Sequence, residues 1–191
     1  MITLVPATPA DVATILAFRA EAAAWLRQRG IDQWSNPFPP DGILATIQAG
    51  ETWMVWDDLT PAATITIARC GEPELWNEVE RAESAVYCHK LTVARAYSGQ
   101  GLGAELLNWA GGVAHQEGRR WLRLDAWDTN ASLHDYYRRQ GFRYLRIANR
   151  PPSGALFQRP ASSYTARLLR FETHELHLPA GQEEIKCRLL P

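Results

Sequence analysis

The stretch that decides the fold is "SGQGLGAELL", Ser98–Leu107. Its glycines stand at alternate positions, and the apolar spacing that follows them is typical of a helix. Glycines placed in this way let a backbone approach a ligand closely, because they carry no Cβ. The first amides of a helix are free to donate and favour negative charge, so the stretch predicts a site for a phosphate-bearing ligand.

Two familiar phosphate-binding motifs fit this stretch poorly. A nucleoside-triphosphate loop needs a lysine and a hydroxyl after its last glycine, and Gly103 is followed by neither. The dinucleotide fingerprint G-x-G-x-x-G/A is matched formally by Gly99, Gly101 and Ala104. Asp125 also lies where a ribose-binding acid is expected. In that fold, however, the glycines follow the strand almost at once, whereas here residues 94–98 intervene.

The composition is that of an ordinary globular chain of 191 residues, 46% hydrophobic and 21% charged. This length predicts one domain with a substantial core. The formal net charge of −1 provides no basic field, so we expect no nucleic-acid partner. No apolar run reaches the roughly 18 residues of a membrane-spanning helix, so we expect no membrane partner.

Three cysteines, at positions 70, 88 and 187, are widely spaced and form no C-x-x-C pair. This pattern argues against a disulfide framework and against a zinc site, so no metal is expected. The first residues lack a basic segment followed by an apolar core, so we do not expect a signal peptide. These features together predict a cytoplasmic protein.

Hydrophobic periodicity predicts the element order β-α-α-β-β-β-α-β-α-β-β. The helix after the glycine stretch contains Gly111 and Gly112, which each weaken a helix by about 1 kcal/mol relative to alanine. We expect tight packing to require them. The sequence predicts a loop over 149–161, a last strand over 163–171, and a tail over 172–191 whose structure it does not decide.

A second motif lies further along the chain, where Asn130, Tyr137, Gly141 and Phe142 have the spacing N-x(6)-Y-x(3)-G-F. Neither rival phosphate motif predicts it. Taken together, this motif, the glycine stretch and the strand that ends at Val93 form a pattern. That pattern resembles the sequence signature of the GNAT superfamily of acyl-CoA-dependent N-acyltransferases. The resemblance is densest from Ala85 to Phe142. One position departs from the family pattern, because Ser98 stands where Arg or Gln is usual.

The resemblance implies one GNAT-like α/β (α+β) domain over residues 1–191. Its mixed, mostly antiparallel central sheet would be flanked by helices and splayed between strands four and five. The implied activity is an N-acetyltransferase that moves an acetyl group from acetyl-CoA to an amine acceptor by direct attack in a ternary complex. The alternative is an acyl-CoA sensor of the same fold without turnover. The acceptor is not identified, and a homodimer remains open.

The resemblance also places the coenzyme. The pantetheine arm would pair with the strand backbone at Leu91, Thr92 and Val93. The pyrophosphate would lie on the loop formed by Ser98, Gly99, Gln100, Gly101, Leu102, Gly103 and Ala104. Asn130 would bond to the pantetheine arm, and it also suits a helix N-cap; the two roles are compatible because a carboxamide has both donors and acceptors.

The catalytic residues implied by the resemblance are Tyr137 and Asp125. The leaving thiolate needs a proton, which the Tyr137 phenol could supply; the alternative is a tyrosine that only packs in the core. Asp125 could accept the proton of the amine, or it could be a strand aspartate paired with Arg123 or Lys90. His89 shares a strand face with Tyr87 and could relay a proton.

The acceptor is expected to bind among the least regular segments. The loop "DQWSNPFPPDG", 32–42, offers Trp34 and Phe38, and His89 would face the same space. A glutamate-rich insert, 71–84, would add Trp76 and a negative rim that attracts a cationic amine, or would be a solvated face. The H-E-x-H pattern at 174–177 is too closely spaced for a zinc protease motif, so it predicts a polar tail strand.

Overall fold

The computed structural model describes residues 1–149 and 152–171. Eight strands are present there: β1 Ile2–Pro6, β2 Thr52–Asp57, β3 Thr60–Ala68, β4 Ala85–Val93, β5 Trp121–Ala126, β6 Arg143–Ile147, β7 Ala155–Pro160 and β8 Arg170–Phe171. Five helices accompany them: α1 Val12–Arg27, α2 Pro40–Gln48, α3 Glu78–Ala82, α4 Leu102–Gln116 and α5 Ala131–Arg139. All the strands join one sheet in the order β6-β7-β5-β4-β3-β2-β1-β8.

The sheet is mixed and mostly antiparallel, as predicted. Only the β4–β5 and β1–β8 pairs of the described chain run parallel. Strands β4 and β5 pair from Ala85 with Trp121 as far as Cys88 with Leu124, and no pairing continues beyond that point. The predicted splay between the fourth and fifth strands is therefore confirmed, and it opens a gap in the middle of the sheet.

Helices cover both faces of the sheet. Trp53 and Val55 on β2 pack into the apolar cluster that includes α4, whereas Met54 between them packs with α1 and α2. Because neighbouring strand residues point to opposite faces, these two clusters lie on opposite sides of the sheet. The gap between β4 and β5 is thus closed above and below by helical layers.

The two glycines inside α4 are explained by close packing. A Cβ on Gly112 would lie 2.4 Å from the Cβ of Tyr164, and one on Gly111 would lie 3.3 Å from Nη2 of Arg159. The segment around Tyr164 is held against α4 by Glu105, which accepts the Tyr164 hydroxyl at 2.7 Å and the backbone N–H of Arg167 at 2.7 Å. The expectation of tight packing is confirmed.

The prediction for the chain after β6 was wrong in two respects. Residues 155–160 form β7 between β5 and β6, where the sequence predicted a loop, and 163–169 lie outside regular strands. Ala155–Gln158 are all buried, so β7 lacks the alternation of apolar and polar residues on which the strand prediction depends. The predicted tail 172–191 and its H-E-x-H pattern lie outside the described residues.

No helix in the described ranges is long and apolar enough to cross a membrane. Cys88 is a free, buried thiol.

Candidate active site

The loop before α4 presents free backbone amides. Gly99 and Gly101 have φ angles of 81° and 83°, a left-handed conformation that residues with a Cβ rarely adopt. In the described chain, the first amides of α4, at residues 102–104, donate to no backbone carbonyl. With the helix dipole behind them, these donors form an anion site. Gly103 has a further constraint, because a Cβ there would lie 3.0 Å from the Tyr136 hydroxyl.

Two arginines stand near this loop. Arg29 and Arg95 lie over the Trp25 ring, with guanidinium carbons 3.8 Å and 3.9 Å from its centre. All three side chains line the same cleft as Ser98. The two arginines place positive charge beside the amide loop, although the long polar side chain that is usual at position 98 is missing.

A cleft of about 510 Å³ runs from this loop into the gap between β4 and β5. It is lined by Leu91, Thr92 and Val93 on β4, by Ser98 and Gly103 at the loop, and by Asn130, Tyr136 and Tyr137 around α5. Five of the predicted coenzyme residues do not line this cleft: the Leu102 side chain is buried in the core, and the others are Gly99, Gln100, Gly101 and Ala104. An elongated ligand with phosphates at one end fits this shape and charge.

Asn130 begins α5 as predicted, since its side-chain oxygen accepts the Leu133 N–H at 3.1 Å. Its amide nitrogen donates to Oε1 of Gln33 at 2.7 Å. Both residues are buried at the cleft wall. Asn130 therefore joins the start of α5 to the loop after α1, and its predicted bond to a pantetheine arm remains a prediction.

A second cavity, of about 370 Å³, shares Tyr137 with this cleft. It is named the acceptor cavity, after the role that the sequence predicts for its residues. It contains Trp34, Phe38, His89 and Asp125, all of which the sequence placed at the reaction centre or acceptor site. Gln33, Trp34, Leu91, Leu133 and Tyr137 line both cavities. The two spaces therefore meet at a common wall.

Asp125 and His89 form a hydrogen-bonded pair across the splayed strands. Nδ1 of His89 lies 3.0 Å from Oδ1 of Asp125, and the Ser153 hydroxyl donates to Oδ2 at 2.8 Å. Burial alone would raise the pKa of Asp125, but the hydrogen bonds from His89 and Ser153 outweigh it and the pKa is lowered. The carboxylate is therefore ionised at neutral pH and orients the imidazole. Arg123 does not pair with Asp125; it binds Glu83 at 2.5 Å.

Tyr137 is 8% exposed and packs against Phe142 and Phe157, with ring centres 5.9 Å and 5.7 Å away. Burial, together with the nearby Cys88 and Asp125, raises the pKa of Tyr137 well above its ordinary value. The phenol is therefore protonated at neutral pH. Its ring is part of the core, as one alternative predicted, and its edge borders both cavities.

The glutamate-rich insert does not contribute as expected. Trp76 is fully buried against Tyr87, with ring centres 5.4 Å apart, and does not border the acceptor cavity. Glu80 binds Arg146 at 2.5 Å, and Glu83 binds Arg123. Glu80 and Glu83 thus tie the insert to the sheet, whereas Glu72 of the same insert is exposed and lines the acceptor cavity.

Comparison with known proteins agrees with this geometry. Residues 18–142 match the model of the acetyltransferase (GNAT) family. The chain belongs to the GNAT acetyltransferase family. This range contains the amide loop, the splayed strands β4 and β5, and the residues of α1 and α5 that line the two cavities.

A relative and two solved structures give the degree of similarity. The uncharacterized N-acetyltransferase YesJ of Bacillus subtilis is 32% identical over 146 residues, covering 73% of this chain and 81% of that protein. A GNAT acetyltransferase from Listeria monocytogenes superposes with a TM-score of 0.70 at 26% identity, covering 83% and 94% of the two chains. The PaiA N-acetyltransferase of Thermoplasma acidophilum, solved with coenzyme A, has a TM-score of 0.66 at 14% identity, covering 84% and 99%.

Several residues of the site were not predicted. They are Arg19, Gln33, Lys90 and Ser153 at the acceptor cavity and Trp25, Arg29 and Arg95 at the coenzyme cleft. Gln33 meets Asn130 across 97 residues of sequence, and no periodicity or motif links positions so far apart. Lys90 has a φ angle of 50° at an irregularity in the β3–β4 pairing, and the sequence contains no turn residue that would signal it.

Proposed function

We propose that this protein is an N-acetyltransferase that moves an acetyl group from acetyl-CoA to a primary amine within a ternary complex. The observation that carries the proposal is the pair of cavities with Tyr137 in their common wall. One has phosphate-binding amides and the other has a histidine–carboxylate pair. A thioester lying in the first and an amine in the second would meet at this wall.

The described residues hold acetyl-CoA by complementary chemistry. The free amides of residues 102–104 and the Arg29 and Arg95 guanidinium groups suit the pyrophosphate and 3′-phosphate of the coenzyme. Beyond Cys88 the backbone of β4 pairs with β3 but not with β5, and this open side suits the amides of the pantetheine arm. Support also comes from the structural relative solved with coenzyme A.

The acid–base roles follow from the hydrogen bonds. If Nδ1–H of His89 donates to Asp125, its Nε2 is left as an acceptor for the amine proton. The amine nitrogen then forms a bond to the acetyl carbon as the carbon–sulfur bond breaks. The departing thiolate takes a proton from the Tyr137 hydroxyl. Asp125 is thus a positioning residue that acts through His89, rather than the group that takes the proton directly.

Direct transfer is favoured over an acyl-enzyme intermediate. Cys88 is the free thiol of the described chain and borders the acceptor cavity. Burial raises its pKa to about 12, and the thiolate rather than the thiol is the nucleophile. Cys88 is therefore a poor carrier for the acetyl group.

The assignment of residues 1–191 to one domain and the cytoplasmic location remain predictions from the sequence.

The test is release of free thiol from acetyl-CoA with a panel of primary amines, read with a thiol reagent. Amine-dependent release with formation of the N-acetylated product supports the proposal. Binding of coenzyme A without release in the presence of any amine would instead support the acyl-CoA sensor.

A further inference from the structure

The acceptor cavity contains two positive charges that its chemistry as described above does not use. Arg19 on α1 and Lys90 on β4 both line it. In the described ranges the Lys90 carbonyl accepts the Thr92 hydroxyl, but neither the Arg19 nor the Lys90 side chain forms a hydrogen bond or an ion pair. Nε of Arg19 is a buried donor without a partner. Both residues are half-buried. Removing an unpaired cation even partly from water is unfavourable, so two such groups in one cavity favour an anionic ligand.

The aromatic residues of the cavity already face these cations. The guanidinium carbon of Arg19 lies 4.9 Å from the ring centres of both Trp34 and Phe38, and Nζ of Lys90 lies 5.2 Å from the Phe38 ring. These stacking contacts hold the Arg19 plane in place while leaving its hydrogen-bond donors unsatisfied. Because the ring faces are taken, a second cation such as an alkylammonium group would meet repulsion there.

The negative groups of the cavity do not neutralise Arg19. Asp125 is engaged by His89 and Ser153. Glu72 also borders the cavity, and its charge acts on Lys90, where it opposes the lowering of the Lys90 pKa by burial. Burial lowers the pKa of Arg19 as well, with no carboxylate to oppose it. The Arg19 guanidinium therefore lines the cavity without a carboxylate partner among the described residues.

Backbone conformation supports a built site. Trp34 and Lys90 both adopt positive φ angles, 63° and 50°, which residues with a Cβ rarely do outside functional sites. The Trp34 loop is fixed by Asp32, which accepts the Trp127 indole N–H at 2.9 Å. Trp34 and Lys90 are therefore both held in unusual conformations by their surroundings. The Trp34 ring stacks on Arg19, and Lys90 carries the second positive charge.

We propose that the acceptor is an amine that also carries a carboxylate, of amino-acid size, whose carboxylate pairs with Arg19 while its amine faces His89. Lys90 adds a second positive charge beside the same anion. The planar guanidinium fork matches a carboxylate with two parallel hydrogen bonds. This inference rests on the proposed acetyltransferase function, and it narrows the acceptor from any primary amine to an amino carboxylate.

The experiment compares matched pairs of acceptors, each an amino acid and the amine formed by its decarboxylation, such as phenylalanine and phenethylamine or tryptophan and tryptamine. Thiol release is measured for wild type, Arg19→Gln and Arg138→Gln. Arg138 lies on the outer face of α5 with its side chain 52% exposed, so its variant removes the same charge away from the site.

We expect wild type and Arg138→Gln to prefer the carboxylate-bearing member, and Arg19→Gln to lose kcat/KM for it by about 100-fold. The KM for acetyl-CoA should be unchanged in all three. If the decarboxylated amines react as well as the amino acids, or if Arg19→Gln leaves the ratio unchanged, the amino-carboxylate inference is wrong while the acetyltransferase function stands.

A binding measurement keeps the two proposals separate. Isothermal titration of the coenzyme A complex with N-acetylphenylalanine and its uncharged amide, N-acetylphenylalaninamide, needs no turnover. Arg19-dependent preference for the acid supports the anion site even if no amine releases thiol. Equal affinities for the two compounds, together with no thiol release, would overturn both proposals.

Discussion

Tyr137 is the residue on which the proposed chemistry depends most directly. Replacing it with phenylalanine removes the hydroxyl and keeps the ring that packs on Phe142 and Phe157. Because the thiolate then leaves without its acid, we expect kcat to fall by roughly 100-fold or more. The KM for acetyl-CoA should change little. Steady-state kinetics with a fixed amine measure both values.

Tyr144→Phe is the matched control, since Tyr144 lies on β6 with 39% of its surface exposed and lines neither cavity. Full activity in Tyr137→Phe would remove its assignment as the general acid.

The Asp125–His89 pair makes a second prediction at the same scale. Asp125→Asn preserves the size of the side chain and removes the charge that orients the imidazole. We expect kcat to fall by about 10-fold to 100-fold, less than for His89→Gln, because the histidine can still accept a proton when it is poorly oriented. A decrease for Asp125→Asn as large as or larger than that for His89→Gln would indicate that Asp125 itself takes the proton.

At the scale of elements, helix α4 is shaped by what packs against it. Alanine is favoured over glycine by about 1 kcal/mol inside a helix, so Gly111→Ala and Gly112→Ala start with the same advantage. A Cβ at 112 would meet Tyr164 at 2.4 Å, whereas at 111 it would meet Nη2 of Arg159, which donates to the Leu107 carbonyl, at the longer distance of 3.3 Å. We expect Gly112→Ala to lower the free energy of unfolding by about 1–3 kcal/mol.

Gly111→Ala should be near neutral, which makes it the internal control in the same helix. Urea denaturation measures both differences. Equal stability of the two variants would mean that Tyr164 does not constrain α4.

Glu105 makes the contact between α4 and residues 164–168 depend on pH. Burial raises its pKa, but the Arg167 and Leu168 amides and the Tyr164 hydroxyl together lower it below the ordinary value. A group whose pKa is lower when folded stabilises the protein above its unfolded pKa, about 4.3, and loses that contribution as the pH falls through the folded value. We therefore expect Glu105→Gln to be less stable than wild type at pH 7, with a difference that shrinks as the pH falls below the unfolded pKa, measured by urea denaturation.

At the scale of the whole molecule, coenzyme binding should stabilise the fold. The cleft joins β4, α4, α5 and the loop after α1, so a ligand there contacts segments from most of the chain. At 100 times its Kd, a ligand adds about 2.7 kcal/mol, which corresponds to a rise in Tm of roughly 5–10 °C for a protein of this size. Thermal unfolding should show this rise with coenzyme A and none with NAD.

The parts of the molecule that the sequence predicted are those encoded locally. The glycine loop, the strand ending at Val93 and the Asn130 cap each depend on a few neighbouring residues, and the structure has them where expected. Strand β7 was missed because burial on both faces removes the alternating pattern. Arg19 and Ser153 were missed because they reach the site from distant segments, and nothing local marks a side chain whose partner is a ligand.

The common wall between the two cavities has a thermodynamic consequence. Gln33, Trp34 and Tyr137 border both spaces, so any shift of these side chains caused by one ligand changes the surface offered to the other. Linkage requires the effect to be reciprocal: a factor by which the coenzyme changes the affinity for the acceptor is the factor by which the acceptor changes the affinity for the coenzyme. A single shared surface thereby turns two binding equilibria into one coupled system.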